Sequence, residues 1–393
     1  MKTARIFIVA LVALTMVLTA CAPAATPTPT AAPAPTKAPE PTKAPEPTKA
    51  PEPTKAPAPT NTVAPSATVP PAPTATAVPP TPTATPIPKC DALANMPKAA
   101  AGALGSADKP YTITFVPSGD TGKITKAGTA IADCLSKMTG LSFKIEVGTN
   151  FAASIEAMGA NKAQIGFLNT TSAILARQKY GVEPAVLALR KYATNDVDPD
   201  KADKDKLLPY YKGQFIASKA SGIKSFADLK GKTFCFVDPT SASGYILPQL
   251  VLLKNGIDPA KDFKNVTNAG SHPNVAVAVY KGDCDAGVTF VNVLTDAAAD
   301  LKSKYPDITD KINIFAVTDK IPNDGMQYTK DLDPKVKEAV TTAMLAMAKD
   351  PGGISMLISL YNYNALEKVE ANVYDTFVET LKKSGFDLGT LIK

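Results

Sequence analysis

Short apolar runs alternate with stretches of helical periodicity from residue 111 onward. Tyr111 to Val116 predicts a strand, after which Ile131, Cys134, Leu135 and Met138 fall at i, i+3, i+4 and i+7, one face of a helix that Gly140 ends. Ser142 to Val147 reads as the next strand, and Asn150 can cap a helix carrying Phe151, Ile155 and Met158. Gln164 to Leu168 follows as a strand and Thr170 to Tyr180 as a helix stopped by Gly181. The pattern then repeats, with Thr233 to Val237 a strand, Gly244 to Asn255 and Val275 to Lys281 helices, and Ala286 to Phe290 a strand. Such alternation predicts an α/β fold with a mainly parallel sheet and helices on both faces. From about Pro334 the chain reads as helical throughout.

The N-terminal part follows a different rule. Between Pro23 and Pro88 there is almost no aromatic or large apolar side chain, and from Pro35 to Ala58 the hexapeptide PTKAPE or a close variant recurs four times. A segment of this kind cannot bury enough surface to offset its conformational entropy, so an extended polyproline II spacer is expected. Ahead of it, Lys2 and Arg5 precede an apolar run from Ile6 to Leu18, and Leu18-Thr19-Ala20-Cys21 is a small-residue cleavage site ending in cysteine. The segment resembles a bacterial lipoprotein signal. That resemblance implies cleavage before Cys21, lipidation of its thiol, and a chain anchored to the outer side of a bacterial plasma membrane. The expected layout is a signal peptide over residues 1–20, a disordered Pro/Thr/Ala-rich linker over 21–89, a first lobe from 90–190, a second lobe over 191–315, and a return to the first lobe with C-terminal helices over 316–393.

The formal charge of +6 is modest and spread out, which gives no nucleic-acid patch. Apart from Cys21, four cysteines face the expected oxidising compartment, and their even number favours disulfides. Three pairings are open. Cys90 with Cys134 would staple the N-terminal arm to the first helix, and Cys235 with Cys284 would join two strands. Neither their spacing nor the chain's one histidine, His272, suits a zinc site. Asp196, Asp198, Asp200, Asp203 and Asp205 lie in a polar stretch between the two αβ blocks, without the glycine and terminal glutamate of an EF-hand. That stretch reads as a solvated insertion near a hinge.

The segment richest in chemistry is GKTFCFVDPTSASGYILPQL, Gly231 to Leu250. A strand ends at Val237, Asp238 and Pro239 turn the chain, and small hydroxyl residues lead into a helix. The free amides of a helix start, together with Thr240, Ser241 and Ser243, form an anion cradle that needs no lysine or arginine. Gly244 would let a ligand approach the backbone closely. Ser241 or Ser243 can equally be a plain N-cap.

Beyond this segment, the chain from Tyr111 to about Leu388 resembles the PhnD family of phosphonate- and phosphate-type binding proteins of ABC importers. The matching pieces are TNFAASIEAM (Thr149 to Met158), AQIGFLNTTSA (Ala163 to Ala173), SGIKSFADLKGKTFCFVDPTSASGYILP (Ser221 to Pro248), GSHPNVAVAVYKGDCDAG (Gly270 to Gly287) and IPNDG (Ile321 to Gly325), in the family's order. The resemblance implies a hinge-linked, two-lobed type II periplasmic-binding-protein fold that closes on an oxyanion. It implies a site built from Ser241, Ala242, Ser243, Gly244 and Tyr245 in one lobe, facing Asn169, Thr170 and Thr171 in the other. His272 would point at the anion, Asp285 would sit near an aminoalkyl group, and Asp120 would border the cleft. Ala242 stands where the family has a hydroxyl and Phe151 where it often has a tyrosine, so two family donors are missing.

No G-x-S-x-G elbow precedes a helix, and the cleft segments supply neither metal carboxylates nor an arginine clamp, so an enzyme is not expected. The expected function is capture of a small phosphorus oxyanion, without metal or cofactor, by a monomeric lipoprotein that hands it to an ABC permease. The alternatives are the same fold binding a sulfonate or a cationic organic metabolite, or a surface adhesin.

Overall fold

A computed structural model describes residues 86–191, 197–199 and 205–391. The signal peptide, Cys21, nearly all of the linker, and Asp196, Asp200 and Asp203 of the acidic stretch lie outside the described residues.

Two sheets divide the chain. The first contains strands β1 (Tyr111–Phe115), β2 (Phe143–Val147), β3 (Ile165–Phe167), β4 (Glu183–Lys191), β13 (Gly325–Tyr328) and β14 (Ala365–Lys368), in the order β14-β4-β13-β3-β1-β2, with β5 (Leu207–Leu208) paired to β4. In the second, β11 (Ile312–Val317), β7 (Gly213–Ser218), β10 (Ala286–Phe290), β8 (Thr233–Phe236) and β9 (Asn265–Asn268) are neighbours in that order. The chain passes between the sheets twice, and the two passages touch as a short antiparallel pair, β6 (Tyr210–Tyr211) with β12 (Ile321–Pro322).

The expected strands of residues 111–181 and the helices Phe151–Gly159 and Thr170–Tyr180 form with boundaries within a residue or two, because apolar period and caps agree there, while the first helix ends as expected but begins earlier than its apolar face, at Thr121. Asn150 accepts from the Ala153 amide to start the helix Phe151–Gly159, and Gly140, at φ 72°, ends the helix Thr121–Thr139. Three expectations need correction. Neither sheet is mainly parallel: β1, β2 and β3 run parallel, as do β8, β9 and β10, but β4, β13 and β14 pair antiparallel, and so do β7 with β10 and β11. Strands that follow a passage between sheets enter without a helical crossover, so nothing fixes them parallel. The C-terminal third is not helical throughout, since β14 lies between the helices Pro351–Tyr361 and Asp375–Lys383 and closes the sheet edge beside β4. The helix expected from Gly244 instead begins as a widened π turn, Ala242–Ile246, and becomes α-helical only over Leu247–Lys254.

Of the three open pairings, the structure has Cys90 with Cys134, on the first helix, and Cys235, on β8, with Cys284 just ahead of the neighbouring β10. Among the described residues no helix is long and apolar enough to cross a membrane, and no group of three His, Cys, Asp or Glu could hold a metal ion.

Asn323 fixes the return passage. Its side chain is fully buried, donating to the Ala188 and Leu208 carbonyls at 2.8 Å each and accepting from Arg190 at 2.9 Å. Replacement by alanine leaves these groups unpaired in the interior, so Asn323→Ala is expected to lower unfolding stability by roughly 2–4 kcal/mol in denaturant titration. A loss below about 1 kcal/mol would show that the passage is held by something else.

Candidate functional site

Three helix starts meet at one small cavity between the sheets. The first is the turn after β8. Its π geometry follows from Pro248, which has no N–H to donate back into the turn: Ile246 N bonds Ser241 O at 3.0 Å, one residue further back than in an α-helix. Ser241 caps the turn by accepting from Gly244 N at 3.1 Å, and Asp238 holds the approach by accepting from the Thr240 amide and hydroxyl. The leading amides, at Ala242 and Ser243, have no preceding turn of carbonyls to bond. The second start is Asn169-Thr170-Thr171 after β3, and the third is His272, first residue of the helix His272–Lys281 that Ser271 caps.

The starts are tied to one another across the cleft. Thr240 O accepts from Asn169 Nδ2 at 3.1 Å and from Thr171 Oγ1, and the His272 amide donates to Ser118 O at 3.3 Å. Each of these bonds joins a loop of the first sheet to a loop of the second.

The cavity measures about 80 Å³ and is lined by Ser241, Ser243, His272, Asn169, Phe151 and Phe290 among others. That is several times the roughly 10–15 Å³ a single water requires. It is well below the roughly 300–1,000 Å³ of pockets that hold drug-sized ligands. His272 is buried, and its Nδ1 accepts from the Phe290 amide at 2.9 Å, which leaves the proton of the neutral ring on Nε2, 3.5 Å from Ser241 Oγ. Burial pushes the imidazole pKa down to about 3, so the ring stays a neutral donor at ordinary pH.

Of the sequence-derived candidates, Ser241, Ser243, Asn169, His272 and Phe151 line the cavity. The others do different work. Ala242 is buried in the core, and Gly244 is required by packing, since a Cβ there would lie 2.3 Å from Val237 Cγ2. Tyr245 packs its ring on Phe236, Thr170 Oγ1 donates to Pro322 O at 2.7 Å, and Thr171 is used up in the clasp on Thr240. Asp285 stands at the opposite end of β10 from the cavity-lining Phe290, where it accepts from the amide and hydroxyl of Thr233 at the start of β8. Asp120 caps the first helix and pairs with Lys304 at 2.9 Å, while its neighbours Ser118 and Gly119 reach the cavity.

The sequence reading missed the charged wall. Arg190, at the end of β4, lines the cavity, contrary to the expected absence of an arginine. Its Nη1 meets Asp324 Oδ1 at 2.6 Å, its Nε donates to Tyr361 O, and its guanidinium lies 4.8 Å from the centre of the Tyr363 ring. Burial opposes its charge, but Asp324 and the surrounding tyrosines more than offset this and hold the guanidinium ionised. Asp324 belongs to the segment Ile321–Gly325, IPNDG. Tyr211, on the first passage, completes this wall; burial and Asp324 push its phenol pKa up to about 12, although Ser243 and Thr170 beside it favour the ionised form. Asp296 also lines the cavity, accepting from the amides of Ala298 and Ala299. An arginine beside a strand end carries no local pattern, and only the pairing of β4 with β13 brings it to Asp324.

A family model for the ABC transporter phosphonate periplasmic substrate-binding protein matches residues 113–374. The chain belongs to this family. It is 26% identical over 189 residues to the phosphate-import protein PhnD of Mycolicibacterium smegmatis, covering 46% of this chain and 56% of that one. It is 27% identical over 222 residues to the phosphonates-binding periplasmic protein of Escherichia coli, covering 55% and 60%. The chain thus spans less than two thirds of the length of either relative. Among solved structures, a binding protein component of an ABC phosphonate transporter from Pseudomonas aeruginosa superposes with a TM-score of 0.61 at 20% identity, over 70% of this chain and 86% of that one. PhnD1 from Prochlorococcus marinus, in complex with methylphosphonate, gives 0.58 at 19%, over 70% and 98%. The two-lobed fold is therefore that of type II periplasmic binding proteins.

The neutral His272 has a consequence for stability. The unfolded chain takes up the imidazole proton near the ordinary value of 6.5 and the folded chain only near 3. The unfolded state binds more protons in between, so this contribution is complete above about pH 6.5 and is lost as pH falls. In pH-dependent unfolding, His272→Gln should lack a component of the acid slope worth up to about 1.4 kcal/mol per pH unit. Identical slopes for the variant and the wild type between pH 6.5 and 4 would contradict the buried neutral ring.

Proposed function

We propose that the protein captures a small phosphorus oxyanion, a phosphonate, phosphite or phosphate, outside the cytoplasm and delivers it as a monomer to an ABC permease. The observation that carries this reading is the meeting of three helix starts on one cavity of about 80 Å³ that Ser241, Ser243 and His272 Nε2–H all border. Helix-start amides, hydroxyls and a neutral imidazole are donors suited to a compact anion. The names of the M. smegmatis and E. coli relatives, and the methylphosphonate held by the P. marinus protein, support the same ligand class. On this reading Cys21 carries the lipid anchor and the Pro/Thr-rich run is the tether.

Ser243 is the most direct test, because it borders the cavity and caps nothing. A lost hydrogen bond to a charged ligand is worth about 1.5–3 kcal/mol, so Ser243→Ala should weaken methylphosphonate binding roughly ten- to hundred-fold in isothermal titration. Thr129→Ala, on the exposed face of the first helix, should leave it unchanged. Equal affinities for Ser243→Ala, Thr129→Ala and the wild type would remove the turn from the site, and turnover of a phosphonate by the protein would replace the binding reading with an enzymatic one.

A further inference from the structure

Beside the cavity, four charged side chains form an alternating row between the lobes, in the order Asp120, Lys304, Asp300, Lys123. Asp120 and Lys123 belong to the start of the first helix, in the lobe of the first sheet. Asp300 and Lys304 belong to the short helix Leu301–Lys304 and its cap, which lie between β10 and β11 of the second sheet. The segment is held to that lobe by the Tyr280 hydroxyl, which donates to Asp307 at 2.8 Å. Lys304 Nζ lies 2.9 Å from Asp120 Oδ2 and Lys123 Nζ lies 3.1 Å from Asp300 Oδ1, so both ion pairs cross from lobe to lobe. Lys123 Nζ also donates to Ala297 O at 2.9 Å, and Lys304 and Asp300, 3.8 Å apart, link the two pairs.

An isolated surface pair contributes little, because two long side chains must be ordered to make it. Here part of that ordering is already done. Asp120 Oδ1 is fixed as a helix cap by the Lys123 amide at 3.0 Å, and Asp300 Oδ1 accepts from Ser303 Oγ at 2.6 Å. The hydrogen bond from Lys304 holds the Asp120 carboxyl below the usual carboxylate range, which keeps that pair charged. None of the four side chains lines the cavity, but Ser118 and Gly119, just before Asp120, do, and so do Ala298 and Ala299, just before Asp300. Parting the lobes at these two loops breaks both pairs together. We infer that the row is an electrostatic latch, which favours the closed arrangement of the lobes and so tightens the hold on whatever the cavity contains without touching it.

The inference rests on the oxyanion reading above only for its probe, methylphosphonate. The test is calorimetric titration of the full chain, comparing the wild type with the double variant Lys123→Met/Lys304→Met. Both lysines are partly exposed, and neither side chain caps a helix. Lys382→Met/Lys383→Met, on exposed positions of the last helix, makes the same change in net charge away from the row. At about 0.01 M salt, where the Debye length is about 30 Å, the latch variant should bind about three- to tenfold more weakly than the wild type, and the control should match the wild type. At about 1 M salt, where the Debye length is about 3 Å, the ratio of wild type to latch variant should shrink toward one. Equal affinities at low salt, a loss that persists in full at 1 M, or an equal loss in the control would overturn the latch and leave the oxyanion reading standing. If the wild type binds no methylphosphonate, the oxyanion reading fails and small-angle scattering of the ligand-free proteins at low salt decides the latch. The wild type should then be more compact than Lys123→Met/Lys304→Met, and identical profiles would overturn it.

Discussion

The carbonyl of Thr240 is the point on which the site depends. It lies between a strand of the second sheet and the turn at Ser241, and it accepts from two side chains of the first sheet, Asn169 and Thr171. This bond pair brings the helix starts of the two sheets face to face. It also explains why hydroxyl and amide residues at Asn169, Thr170 and Thr171 behave so differently. Thr171 and the nitrogen of Asn169 hold the clasp, and Thr170 holds the return passage at Pro322. A ligand on the proposed reading therefore meets a frame already set by protein contacts, which lowers the ordering cost of binding.

Charge balance is the second constraint. Arg190 leads out of the first sheet into the first passage and Asp324 returns from the second passage to the same sheet, and each is the condition for burying the other. Their pairing keeps the wall next to the helix starts close to neutral, so the binding proposed for the cavity rests on hydrogen-bond donors more than on net charge. Asn323, next in sequence to Asp324, ties the same passage to β4 and to Leu208 and also accepts from Arg190. The two passages and the cavity wall are thus one structure.

Much of the fold was legible because local signals agreed. The caps at Asn150 and Gly140 and the helix Thr170–Tyr180 were readable from residue type and period alone. Antiparallel strands after each passage were not, since strand direction follows from where the chain re-enters the sheet. The site was half legible. Ser241, Ser243, Asn169 and His272 stand at helix starts, which sequence marks clearly. Asp285 holds Thr233 and Gly244 makes room for Val237, and in sequence such a carboxylate and glycine look the same as ligand-binding residues. Arg190, Asp324 and Asp296 were missed because their roles exist only after distant segments meet.

A crystal structure of the protein with methylphosphonate tests the central claim most directly. The account predicts the phosphonate in the cavity between the sheets, with its oxygens within hydrogen-bond reach of Ser243 Oγ and His272 Nε2 and the amides of the turn after β8. A phosphonate bound elsewhere, or bound in the cavity with its oxygens turned from these donors, would contradict it.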